Sequence, residues 1–97
     1  SVSGRLTGAQ FDDGRLTIEG SASEPDRLGH PVRYLVTVGG PREAEPIDQF
    51  EFSTAYFVFR SWRPTVASGQ HRVYLYGLNT PGTRGADRLL GSTVVTF

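Results

Sequence analysis

What most constrains this chain is how its apolar residues are distributed: in short runs of period two, each closed by Gly, Pro, Asn or Asp. The last third shows the pattern best. Between Gln70 and Phe97 the run HRVYLYGLN gives way to TPGTRGAD, and a second run, RLLGSTVVTF, follows. Both runs are dense in β-branched and aromatic residues and contain no Pro, which predicts two extended strands joined by a surface loop. The rest of the chain must supply strands to pack on that pair.

Upstream, Leu6, Gly8 and Ala9 belong to a weaker first strand ending near Phe11, and Asp12-Asp13-Gly14 is a hairpin turn signal. In Arg15-Leu16-Thr17-Ile18-Glu19 the alternation points Leu16 and Ile18 to a core and leaves Arg15, Thr17 and Glu19 to water. The loop SEPDRLGHP breaks the pattern. VRYLVTVGG then places Val32, Tyr34, Val36 and Val38 on one face, and Gly39-Gly40-Pro41 ends the run. The acidic, proline-bearing stretch from Arg42 to Gln49 fits an exposed crossover between sheets better than a central strand. Period two returns at Phe50 and Phe52 and again from Ala55 to Trp62. There Phe57 and Phe59 share one face and Tyr56 and Val58 the other, so the buried side is undetermined. Pro64 to Gly69 leads into the final pair.

The count is about seven strands at spacings of roughly ten residues, with no sustained helical period. That pattern suits an all-β fold: a two-layer antiparallel sandwich of the immunoglobulin-like or fibronectin-type-III-like kind. Ninety-seven residues suit one domain, residues 1–97, because a chain this size buries only roughly two-thirds of the surface its unfolded form exposes.

Composition narrows the function classes. All ten basic side chains are Arg and they balance ten acids, interleaved along the chain. Such a field gives no footprint for nucleic acid or an anionic membrane. No apolar stretch is long enough to span a bilayer as a helix. Cysteine is absent, which removes disulfides, thiolate nucleophiles and cysteine-held metals. The chain starts at Ser and lacks Met, so a mature fragment or a domain of a longer protein is expected. The Lys-free, Arg-rich and Gly-rich usage is what a GC-rich genome tends to produce.

Three stretches carry a resemblance. Gly20-Ser21-Ala22-Ser23-Glu24-Pro25-Asp26 is similar to a GWA-x-DPD-like turn. Gly69, His71, Val73, Leu75, Tyr76 and Asn79 follow G-x-H-x-V-x-V-Y-x-x-N. Leu89-Leu90-Gly91 before Thr93-Val94-Val95 matches a final L-L-G and β-branched strand. Together they resemble a non-catalytic immunoglobulin-like module common in secreted actinobacterial proteins, often repeated or attached to hydrolases. The resemblance implies a secreted or cell-surface accessory domain acting as a spacer or protein-docking module, whose partner is a neighbouring domain or another protein. The alternative is a carbohydrate-binding module attached to a polysaccharide-degrading enzyme. Family members commonly carry Trp where Ser21 stands, and often Cys where Tyr74 and Ser92 stand. The paired absence of those cysteines implies that Tyr74 and Ser92 are cross-strand neighbours. The stretch from Arg42 to Phe57 departs from the family pattern.

Candidate sites are few. His71 has no second ligand at metal spacing, and His30 reads as loop, so no metal or cofactor is expected. Ser68, His71 and Asp48 make a hydrolase triad only on paper, because Ala67-Ser68-Gly69-Gln70 lacks the first Gly of a nucleophile elbow. No enzyme is expected. The acids at Asp12-Asp13, Glu24-Asp26 and Glu43-Glu45-Asp48 match no compact calcium loop and read as solvated turn carboxylates. The aromatics hold more interest. With Val73 and Leu75 inward, alternation turns Arg72, Tyr74 and Tyr76 outward beside Ser92 and Val94, a surface for a sugar face or a partner protein. Trp62, near a strand end, is the second binding candidate.

Overall fold

The structure, a computed structural model, describes residues 2–23, 31–54, 57–82 and 85–97, with the side chains of Ser23 and of residues 57–59 left aside. Seven strands account for most of it: β1 (Ser3–Asp12), β2 (Arg15–Ser23), β3 (Val32–Val38), β4 (Asp48–Thr54), β5 (Phe57–Trp62), β6 (Gln70–Leu78) and β7 (Arg88–Thr96). They form two antiparallel sheets, one of order β1-β2-β5 and one of order β4-β3-β6-β7. The fold is all-β, a two-layer sandwich. Among the described residues the only helical element is one 3-10 turn, Arg42–Ala44.

The core follows the alternation. Leu16 and Ile18 from one sheet meet Val32, Tyr34, Val36 and Val38 of β3 and Val73 and Leu75 of β6, all wholly or almost wholly buried. Each such side chain gains roughly 1.5–3 kcal/mol from leaving water. The β1–β2 hairpin turns where expected, with Asp13 and Gly14 both at positive φ (51° and 76°), the backbone a two-residue primed turn requires.

Two bulges shape one side of the sandwich. The β1–β2 register slips between Leu6 and Gly8, leaving Thr7 unopposed, and the β6–β7 register slips at Leu75/Tyr76, leaving Leu90 unopposed. At the second bulge Leu90 is buried and Leu89 53 % exposed, and the extra residue makes Leu90 and Gly91 together face Leu75 where an unbroken ladder would pair one residue with one. The extra twist brings β1 alongside β7. A Cβ on Gly91 would lie 2.8 Å from the Leu6 Cβ, so the glycine of the L-L-G run is there for backbone approach.

The stretch from Arg42 to Gln49 is not a crossover between sheets. It connects β3 to β4, neighbours in one sheet paired from Val38↔Asp48 to Val32↔Thr54, and Gln49 already lies in β4. The return has local causes: Gly39 at φ 87°, the Ala44 N–H on the Pro41 carbonyl at 2.9 Å, and the Ile47 N–H on the Val38 carbonyl at 2.9 Å. The chain changes sheets after β4 instead. Of the strand expected from Ala55 to Trp62, Ala55 and Tyr56 lie outside the described residues, as do the faces of Phe57, Val58 and Phe59.

On the β4/β5 side an aromatic column links the layers. Trp62 stacks on Phe50 (centroids 5.0 Å apart, 14°), Phe50 on Phe52 (5.9 Å), and Phe52 on Tyr34 (5.3 Å). Burial pushes the Tyr34 hydroxyl up to about 12, since desolvation disfavours phenolate. That hydroxyl is buried with no hydrogen-bond partner among the described residues.

Two outcomes test this packing. Gly91→Ala should destabilise by about 1–3 kcal/mol through overpacking against Leu6, read as a lower urea midpoint. Tyr34→Phe should be neutral or stabilising by up to about 1 kcal/mol, because it removes an unpaired buried polar atom while keeping the ring; a loss of stability in thermal melts would show that the hydroxyl is satisfied.

Candidate interaction surface

Inner and outer faces of the four-stranded sheet follow from register. Val36 opposes Leu75 and Phe50 on the core side, so Leu35, opposing Tyr76 and Glu51, faces out. Thr37 opposes Tyr74, and Tyr74 opposes Ser92 on β7. Tyr74 and Ser92 are therefore cross-strand neighbours, as the resemblance implied. Arg72 opposes Val94 and donates from Nη1 to the Ser92 Oγ at 3.3 Å. The predicted trio of Arg72, Tyr74 and Tyr76 thus occupies one outer face. Arg72 is exposed, Tyr74 half-buried, and Val94 47 % exposed.

Tyr76 departs from the expectation of an accessible ring. It is only 5 % exposed, although it faces away from the core. The β3–β4 connection roofs it. The Arg42 backbone N–H donates to the Tyr76 hydroxyl at 3.1 Å, and the Arg42 guanidinium stands 5.1 Å from the ring centroid, a cation–π geometry. Thr37, wholly buried on the same face, donates its hydroxyl to the Gly40 carbonyl at 2.7 Å.

The roof is fastened electrostatically. Arg42 donates from Nη1 to Asp87 Oδ2 at 2.8 Å and from Nε to Glu43 Oε1 at 3.1 Å. The Asn79 N–H donates to the other Asp87 oxygen at 2.6 Å. Hydrogen bonds from Arg42, then from Asn79, hold the Asp87 carboxyl below its usual range, and Arg42 is pushed up chiefly by the Asp87 bond. Glu43 is lowered first by its own backbone N–H and then by Arg42. Bonds to the ionised form favour that form. Neither Arg42 nor Asp87 stood out in the sequence, and their only signal was a charged residue in each of two loops.

Trp62 does not join the tyrosines. It sits opposite Leu16 on β2, directed between the layers, with one ring face on Phe50. The sequence candidates therefore divide into an outer-face group and a separate residue in the β4/β5 seam.

The paper triad does not assemble either. Asp48 accepts from the Gln49 N–H and the Thr65 N–H, both at 2.8 Å, anchoring the β5–β6 connection. The His71 Nε2 lies 2.9 Å from the Ala67 carbonyl. No hydrogen bond joins Ser68, His71 and Asp48 to one another. Among the described residues no three His, Asp or Glu side chains converge as metal ligands; Glu24, Asp26 and His30 lie outside those residues. A shallow depression of about 180 Å³ lies over Gly8, between Gln10, Thr17 and Glu19, on the outer side of the β1–β2 hairpin.

No family model, curated protein or solved structure matches this chain.

Acid tests the roof. Because the folded-state Asp87 carboxyl titrates below its ordinary value of 3.8, its contribution is complete above that value and is lost as pH falls beneath it. Asp87→Asn should cost about 0.5–1 kcal/mol at neutral pH, the scale of a partly exposed pair. The difference between variant and parent should shrink below about pH 4. Chemical denaturation at pH 7 and pH 3 measures both.

Proposed function

We propose that this chain is a non-catalytic accessory module of a secreted bacterial protein, immunoglobulin-like in the fibronectin-III manner, which spaces neighbouring domains or docks onto a partner protein. The observation that carries the reading is the outer face of the four-stranded sheet. There Arg72, half-buried Tyr74 and exposed Val94 and Leu89 lie side by side. Aromatic residues and Arg are the types enriched at protein interfaces, and Tyr ordered between neighbours loses little rotamer freedom on binding. The division into a three-stranded and a four-stranded sheet supports the family reading, since seven-strand sandwiches of that class divide in this way.

The non-catalytic part is supported by what the polar side chains already do. Asp48 and His71 are engaged with backbone groups of the β5–β6 connection, and the depression over Gly8 is smaller than the roughly 300–1,000 Å³ of ordinary ligand pockets. Docking is favoured over carbohydrate binding because two of the three candidate rings are engaged: Tyr76 beneath Arg42 and Trp62 against Phe50.

Two measurements test the proposal. The chain by itself should turn over none of a panel of ester, peptide and glycoside substrates; reproducible turnover ends the non-catalytic reading. Amide exchange at Tyr74, Ser92 and Val94 should slow when the module sits in a longer polypeptide or meets its partner, and Tyr74→Ala should abolish the slowing. Exchange that is equal in both settings removes docking through this face.

A further inference from the structure

A sandwich of open sheets has four outer strands, and two of these cover one another. β1 and β7 are each bulged and lie against one another through Leu6 and Gly91 and through the Phe11 and Phe97 rings, 4.8 Å apart. At the start of β4 the Thr65 N–H bonds the Asp48 side chain, and among the described residues no backbone bond meets the outer edge of that strand. β5 is likewise open. It pairs with β2 without a register shift from Ser21↔Phe57 to Leu16↔Trp62, and among the described residues no backbone bond meets its other edge. An unbulged edge of this kind is a template for another strand.

One residue on that edge breaks the pattern of its face. Arg60 opposes Ile18, which is fully buried, so Arg60 takes an inward register position while its own side chain stays exposed at the strand edge. Its guanidinium stands 5.6 Å from the Phe50 centroid and 5.8 Å from that of Phe52. Among the described residues it has neither an ion pair nor a hydrogen-bond acceptor. Trp62, two residues on and on the same face, stacks on Phe50, and its buried Nε1–H has no acceptor among the described residues. Two donor groups thus flank one phenyl ring, the guanidinium open to solvent and the indole N–H buried with no acceptor among the described residues. Buried donors are almost always paired.

We propose that the free edge of β5 docks an extended strand of a partner protein that carries Asp or Glu opposite Arg60. A strand added there places alternate side chains over the seam between β4 and β5, with the residue facing Arg60 about 5 Å away between Cβ atoms. A carboxylate at that position accepts from the guanidinium fork above the phenyl rings, where partial desolvation strengthens the bond. The same Arg60 rejects strands with a basic residue in that register, so one side chain both blocks indiscriminate pairing and selects the partner. Self-association through β5 is selected against, because residues 57–62 contain no acid and pairing two copies would bring two Arg60 side chains into one seam. The occupant is therefore a different, acidic strand. This inference rests on the docking reading and assigns it a surface separate from the Tyr74 face.

The test uses the folded chain and three synthetic heptapeptides alternating Thr and Val, with Glu, Gln or Lys at the central inward position. Trp62, the only tryptophan, reports by fluorescence, and backbone amide shifts locate the contact. The Glu peptide should bind at least about tenfold tighter than the Lys peptide, the scale of one charge-assisted hydrogen bond. Binding should shift the amides of Arg60, Ser61 and Trp62. Arg60→Gln should erase the preference, and Arg60→Glu should reverse it in favour of the Lys peptide, a gain that a misfolded variant would not show. Equal binding of the three peptides, no shift at residues 60–62, or a preference that survives Arg60→Gln overturns the proposal. Slowed exchange at Tyr74, Ser92 and Val94 is read separately, so β5 can fail while docking through the outer face stands.

Discussion

Everything in this molecule depends on one layer of apolar contact: Leu16 and Ile18 of β2 against Tyr34, Val36, Val38, Val73 and Leu75 of the facing sheet. No disulfide reinforces it, because the chain has no cysteine. Strand order, bulges and loops are arranged to keep those two inner faces in register. A one-residue slip in β2 would turn both its core side chains to solvent, and the Asp13-Gly14 turn prevents that slip by allowing only one pairing of β1 with β2. A local conformational preference is thereby converted into the alignment of two layers.

The outer face of the four-stranded sheet is held by a different kind of force. Tyr76 and Thr37 are buried there without belonging to the core, under a connection fastened by Arg42 to Asp87. Apolar burial is nondirectional, whereas this contact depends on a guanidinium reaching one carboxylate oxygen while a backbone N–H holds the other. The face is therefore divided: one part is closed by the roof, and the part around Tyr74, Leu89 and Val94 is left to solvent. The two sides of the sandwich are also unlike. One is sealed by bulged strands lying together, the other by stacked aromatic rings with an arginine over them.

How much of this was legible in the residues depends on the range of the interaction. Leu16, Ile18 and the alternating positions from Val32 to Val38 could be read because alternation is a property of adjacent residues. The hairpin at Asp12-Asp13-Gly14 was equally local. The burial of Tyr76 could not be read, because it depends on Arg42 folding back to meet Asp87, 45 positions away. The connection from Arg42 to Gln49 was misread for the same reason: its polar composition announces exposure but says nothing about which sheet the chain rejoins. The inward course of Trp62 was hidden until the β2–β5 register was known, since aromatic residues occupy both faces of its strand. The pairing of Tyr74 with Ser92 came from the resemblance and then from register.

The bulged side of the sandwich has a mechanical consequence. Val2 packs against Gly77 and Leu90 at one end of β6 and β7, while Phe97 exchanges backbone bonds with Gly69 at the far end. Roughly eight residues of extended chain separate those levels, about 25 Å. Tension applied between the two termini would thus run lengthwise along β1 and β7 and load their ladders in shear, many bonds at once, rather than peeling them open one by one. Copies strung head to tail would form an extensible tether whose resistance lies in these two terminal strands.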